Sequence, residues 1–263
     1  MRKTLLGALA LSTLSLAISQ ANADEHSLKV GTVAGPETDV MQVAADLAEE
    51  RYGLEIEIIE FTDYVTPNAA LADGSLDANA YQHEPYMNAM VNDRGYDFAI
   101  AGRTFVYPIG AYSEKYESIE DLPEGATIAL PNDPSNEGRS LILLHNEGLI
   151  TLDDPENLEA TPLNIVENPH DFDFREIEAA QLPRVLPDVD MAFINNTFAQ
   201  PAGLTLDDAL VKEGPESPYV NIIAVRGGDE DREEIQQLVD AYQSDEVAAK
   251  AEELFKGAAV PGW

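Results

Sequence analysis

The chain has 263 residues, 44% of them hydrophobic and 24% charged, with no cysteine and a formal net charge of −34. That is enough apolar material for one large domain or two smaller ones, an acidity that excludes nucleic acid and anionic membrane as partners, and a fold that must hold without disulfides. So large an excess of carboxylates repels itself in dilute buffer and is screened as the Debye length shrinks to about 3 Å near molar salt, and a salty habitat is the expectation.

The first residues, MRKTLLGALALSTLSLAISQANAD, set Arg2 and Lys3 before a short apolar run and then Ala21 and Ala23 in an A-x-A pattern. This reads as a secretory signal peptide over residues 1–23, with an apolar run too short for a confident membrane span. Loss of Arg2 and Lys3 takes the charge to −36. With no thiol to carry a lipid, the expected product is a soluble, untethered protein of the periplasm.

SLKVGTV is a β-rich run that reaches its end at Gly31, and GPETDVMQVAADLAEERYG follows with Val40, Val43, Ala44, Leu47 and Ala48 at helical spacing, closed by Gly53. LEIEIIEF alternates apolar and acidic residues through Leu54, Ile56 and Ile58 to Phe61, as a second, parallel strand with one wet face would. Further strands are expected near 97–112, 126–131, 163–167, 174–179, 189–194 and 219–226, so the chain is α/β throughout. Towards the end, Ile235, Leu238, Val239 and Tyr242 share a helical face. A last helix opens at Ser244 as N-cap and stops at Gly257, with Lys256 in its final turn, where the helix dipole favours a cation. TFVYPIGAYS and EGPESPYVNIIAV set prolines and glycines beside β-branched and aromatic residues, which suits stiff hinge strands between two lobes.

Enzyme motifs are missing. The histidines His26, His83, His145 and His170 are scattered, no nucleophile elbow, P-loop or dinucleotide motif occurs, and nothing predicts a metal or another cofactor. An acid and base pair of His83 and Glu84 has no nucleophile or metal beside it in sequence. Three polar groupings are more informative. PNDPSNEGRSLILLHNEGLI makes a turn that feeds Ser135 or Asn136 as N-cap of a helix with Leu141, Leu144 and Leu149 inward, which puts Arg139 in the first turn. There its fork could hold a carboxylate, or simply pair with one of the many surface acids. In LDANAYQHEPYM, Tyr81 and His83 share one side of a strand, and Pro85 opens a helix that swings Tyr86 back towards them: a recognition wall or a core edge. Asn195 and Asn196 end one apolar strand and Asn221 sits inside another, where each amide must find a partner.

Taken together, FTDYVTPNAAL, GSLDANAYQHEPYM, FVYPIGAYS, LPNDPSNEGRSLILL, IEAAQLPRVL, SPYVNIIAVR, AYQSDEV and GAAVPGW closely resemble the NlpA/MetQ family, the substrate-binding proteins of bacterial methionine ABC importers. The resemblance covers essentially all of the mature chain. It implies a periplasmic binding protein fold, two α/β lobes joined by hinge strands with ligand in the cleft between them. Residues 24–109 with 217–263 would form one lobe and residues 110–216 the other. It implies a monomeric receptor without catalytic activity or cofactor that passes methionine, or else another small amino acid or a methionine-containing dipeptide, to a permease with a separate ATPase subunit. The family's ligand contacts carry over to Tyr64, Tyr81, His83, Tyr86, Asn136, Arg139, Asn195 and Asn221. Two departures stand out: the chain lacks the cysteine of family lipoproteins, and Tyr81 stands where phenylalanine is common.

Overall fold

A computed structural model describes residues 26–214 and 217–263. The expected signal peptide, residues 1–23, lies outside the described residues, as do residues 215–216 within the second hinge stretch.

Strand β1 (Ser27–Val33) runs two residues past Gly31 and is followed by helix α1 (Pro36–Tyr52). Pro36 opens that helix, Glu37 and Asp39 face its positive end, and Gly53 closes it in the left-handed conformation at φ 67°. Then come β2 (Glu55–Phe61), α2 (Thr66–Ala72), β3 (Ala78–His83), α3 (Glu84–Arg94) and β4 (Phe98–Val106). The stretch expected as one strand over 97–112 is two, because the chain leaves one sheet at Tyr107 and Pro108 and enters another as β5 (Gly110–Tyr112). Pro108 has no N–H to give a ladder, so the break falls there.

Next are β6 (Thr127–Pro131), α4 (Pro134–Asn146), β7 (Thr151–Leu152), β8 (Ile165–Glu167), β9 (Asp173–Ile177), α5 (Leu182–Val185), β10 (Met191–Ile194), α6 (Asn196–Ala199) and β11 (Val211–Lys212). The chain then returns as β12 (Val220–Arg226), followed by α7 (Glu233–Tyr242), α8 (Asp245–Phe255) and β13 (Val260–Pro261). Ser244 caps α8 by accepting from the Val247 N–H. Lys256 lies one residue beyond that helix, itself left-handed at φ 52°, with Gly257 after it.

The strands form two main sheets. One has the order β13-β4-β12-β3-β1-β2 and the other β11-β5-β10-β6-β9, while β7 and β8 pair as a short antiparallel ribbon. β1 is parallel to both β2 and β3, whereas β12 returns antiparallel between β3 and β4. Each sheet has its own core. Leu28, Val30, Phe105, Ile223 and Leu238 anchor the first against α1, α7 and α8, and Ile128, Leu130, Leu141, Met191 and Phe193 anchor the second against α4. The molecule is therefore two α/β lobes consistent with the periplasmic binding protein fold, crossed by the chain once after β4 and once before β12. Among the described residues no helix is long and apolar enough to cross a membrane.

Ion pairs do little to tame the surface charge. Of those formed among the described residues, only Arg139–Glu213 is buried on both sides, and exposed pairs such as Lys29–Glu57 or Lys212–Asp207 contribute at most about 1 kcal/mol. With 49 acidic side chains against 15 lysines and arginines, melting temperature is expected to rise as sodium chloride goes from about 0.05 M to about 3 M. Thermal melts across that series give the answer, and a flat or falling curve would refute the habitat argument.

Candidate functional site

Four local devices present polar and aromatic groups to one place between the lobes. In the loop after β2, the Asp63 carboxylate accepts from the Val65 and Thr66 N–H groups, both at 2.7 Å, which turns the chain and sets Tyr64. The Tyr64 carbonyl then receives the hydroxyls of Tyr81, at 2.7 Å, and Tyr86, at 2.8 Å. The three rings lie 5.8–6.3 Å apart, and Phe198 of the second lobe packs 4.9 Å from Tyr64. This is an aromatic box in which the Tyr81 and Tyr86 hydroxyls are committed to the backbone.

His83 ends β3 and caps α3: its Nδ1 accepts from the Tyr86 N–H at 3.1 Å. The proton must then sit on Nε2, which donates across the cleft to Asn136 Oδ1 at 3.2 Å. Burial first, and the Arg139 charge second, hold the ring's pKa at about 3, so His83 is neutral. Glu84 points out to solvent. The acid and base pairing of these two therefore fails, because both ring nitrogens are engaged and the carboxylate faces away.

Asp133, not Ser135 or Asn136, is the N-cap of α4: its carboxylate accepts from the Asn136 N–H at 2.9 Å, with Pro134 as first helical residue. The Asn136 side chain is thereby free to act as a hub, donating to Asp133 and accepting at Oδ1 from His83 and from Asn195 at 2.9 Å. Leu149 lies past the end of the helix at Asn146. Gly138 is needed where the helix meets the 158–160 loop, since a Cβ there would come 2.4 Å from the Leu158 carbonyl oxygen.

Arg139 is 2% exposed and held from three sides. Its Nε donates to Glu213 at 3.1 Å, Nη2 donates to the other Glu213 oxygen and to the Tyr107 carbonyl at 3.0 Å, and its guanidinium lies 4.5 Å over the Tyr219 ring. Asn221 stands beside His83 in the β12–β3 pairing and donates to the Tyr81 carbonyl at 3.2 Å.

All eight residues singled out in the sequence, Tyr64, Tyr81, His83, Tyr86, Asn136, Arg139, Asn195 and Asn221, line a single pocket. Gln82, Tyr107, Asn196 and Thr197 complete the wall. Gln82 was hidden by its neighbours' better chemistry; it is locked with Asn68 and Asn79 in a fully satisfied amide cluster that stiffens β3. Three polar atoms of wall residues are buried without a partner among the described residues, the Tyr107 hydroxyl, the Asn195 Oδ1 acceptor and the Asn196 Nδ2 donor. A buried polar atom left unmatched costs about 1–3 kcal/mol, so these atoms are the part of the wall with hydrogen-bonding capacity to spare. Among the described residues no cluster of His, Cys, Asp or Glu could hold a metal ion.

The NlpA lipoprotein family model matches residues 28–263. A Vibrio cholerae serotype O1 protein described as a probable D-methionine-binding lipoprotein, MetQ, is 50% identical over 258 residues, 97% of this chain and 96% of that protein. The crystal structure of a methionine binding protein, MetQ, matches with a TM-score of 0.88 at 48% identity, over 90% of this chain and 98% of that one. A nutrient binding protein from Burkholderia cenocepacia bound to methionine matches with a TM-score of 0.87 at 50% identity, over 90% of this chain and all of that one. Likeness at this level across nearly the whole chain makes it a member of the NlpA lipoprotein family, a periplasmic substrate-binding protein of transport rather than an enzyme.

Proposed function

We propose that this protein captures methionine in the cleft between its lobes and delivers it to the permease of an ABC importer driven by a separate ATPase subunit. The observation that carries the reading is the pairing, in one cavity, of an aromatic box with groups matched to a zwitterion. A thioether favours aromatic faces and edges by roughly 0.3–1.5 kcal/mol per contact, and Tyr64, Tyr81 and Tyr86 offer those. Arg139 uses Nε and Nη2 within the protein, which leaves its Nη1 edge to grip an α-carboxylate. The Asn195 Oδ1 acceptor suits the ammonium and the Asn196 Nδ2 donor a second carboxylate oxygen.

On this reading residues 24–109 with 217–263 form one lobe, residues 110–216 the other, and the segments around Pro108 and Pro218 are the hinges. The chain works as a monomer, and having no cysteine it diffuses to the permease instead of being held on a lipid. Native mass spectrometry of freshly purified protein is the test. A monomer carrying the added mass of one methionine is expected; a different adduct, or a protein that stays empty after methionine is added, would sink the assignment.

A further inference from the structure

The Arg139 guanidinium sits where both connections between the lobes meet. On the first connection it donates to the Tyr107 carbonyl at 3.0 Å, one residue after β4 ends. On the second it is gripped by the Glu213 carboxylate, one residue after β11, and it lies over the ring of Tyr219, one residue before β12. Glu213 is itself fixed. Its N–H donates to the Ile109 carbonyl at 3.0 Å, tying the two connections together, and its Oε1 accepts the Ser217 hydroxyl at 2.9 Å. Ser217 in turn receives the Tyr219 N–H at 3.1 Å, and the Tyr219 ring packs 5.0 Å from His83. The result is a chain of contacts from the hinge to the cavity wall, with Glu213 at its centre.

We propose that Glu213 is a positioning residue for ligand capture: it locks the Arg139 guanidinium onto both interlobe connections, so that a single edge of the arginine faces the ligand carboxylate and gripping that carboxylate sets the hinge. The inference rests on the reading of Arg139 as the carboxylate clamp. Two features favour positioning over simple charge balance. A fork-to-fork pair fixes the guanidinium plane as well as its place, which a point contact does not. A buried ion pair is also a poor source of net stability, so its placement where the two interlobe connections meet points to geometry as its purpose.

The experiment compares calorimetric affinities for L-methionine and for L-methioninamide, which keeps the thioether and ammonium but has no carboxylate. Glu213→Gln loses the charge and presents an N–H to an N–H, so the arginine plane turns; L-methionine affinity is expected to fall at least about tenfold and methioninamide affinity less than about threefold. Glu213→Asp keeps the charge on a shorter arm and should recover part of the loss. The double variant Glu213→Gln with Arg139→Ala should bind L-methionine no worse than Arg139→Ala alone, because both act through one contact. Wild-type L-methionine affinity in Glu213→Gln, or equal losses for the two ligands, overturns the inference and leaves the methionine reading standing. Wild-type affinity in Arg139→Ala overturns both. If Glu213→Gln fails to fold, Glu213→Asp carries the test through the same ligand comparison.

Discussion

Arg139→Ala should weaken L-methionine binding by roughly 30- to 5,000-fold, the equivalent of the about 2–5 kcal/mol lost when one partner of a buried, hydrogen-bonded charge pair is removed. The ligand carboxylate would be left desolvated against neutral amides. Part of the damage falls on the fold itself, since the Glu213 carboxylate, 9% exposed, loses its counter-ion, so binding must be measured below a melting temperature determined for the variant. Tyr81→Phe is the contrast. Its hydroxyl donates to the Tyr64 carbonyl, which keeps the Tyr86 hydroxyl when Tyr81 loses its own. The loss should stay within about tenfold, since a neutral hydrogen bond contributes about 0.5–1.5 kcal/mol, and the aromatic face is unchanged. Asn221→Ala should fall between the two, because it frees the Tyr81 carbonyl and removes an amide from the wall. Lys212→Ala, which removes an exposed ammonium paired with Asp207, should bind as wild type. Calorimetric titration ranks the four. Wild-type affinity in Arg139→Ala would mean that the carboxylate is held elsewhere.

Much of this site could be read from the chain because its residues are chemically conspicuous where they stand. Tyr81, His83 and Tyr86 crowd into six positions, Asn195 directly follows an apolar strand and Asn221 sits inside one, so each demands a reason. Their resemblance to family motifs then grouped residues that lie far apart in the chain. Glu213 offered no such signal: it is one of 49 acidic side chains, and only the fold brings it under Arg139. Glu37 was equally silent, since an acid in the first turn of a helix is adequately explained by the helix dipole. Two expectations differ locally from the structure, each for its own reason. In sequence, Pro134 suits the turn before α4 as well as its first helical position, so Ser135 or Asn136 looks like the cap; in the fold Pro134 takes the first helical position and the cap passes to Asp133. The strand over 97–112 was drawn unbroken because periodicity carries no information about which sheet a strand joins.

Acidification should leave wild-type affinity almost unchanged but should cripple Glu37→Gln. Glu37, at the start of α1 in the first lobe, is buried against the second lobe, whose Thr197 hydroxyl donates to its Oε1. The other titratable groups around it, Tyr64, Tyr107 and Tyr242, stay neutral, and burial raises its pKa from 4.5 to about 7. His83 is the mirror case: it meets Asn136 and Arg139 of the second lobe, and its pKa falls from 6.5 to about 3. Opening the cleft returns both towards their ordinary values, so closure on ligand takes up a proton at Glu37 and releases one at His83. The Glu37 contribution is fully present below pH 4.5 and is lost as pH rises through about 7; the His83 contribution is present above pH 6.5 and is lost as pH falls towards 3. Between pH 8 and 5 the two act in opposite directions and largely offset each other. Glu137, also raised to about 7 by burial and by Glu176, lies with that neighbour inside the second lobe and is unaffected by closure. Glu37→Gln keeps an acceptor for Thr197 but removes the acid, so only the His83 penalty remains and affinity should drop about 30-fold between pH 8 and pH 5. Calorimetry in buffers of different ionisation enthalpy reads the protons directly: near pH 5.5, net exchange close to zero for wild type and release of almost one proton per ligand for Glu37→Gln. A flat pH profile in the variant, or a steep one in the wild type, would show that these two buried groups are not opened and closed by the cleft.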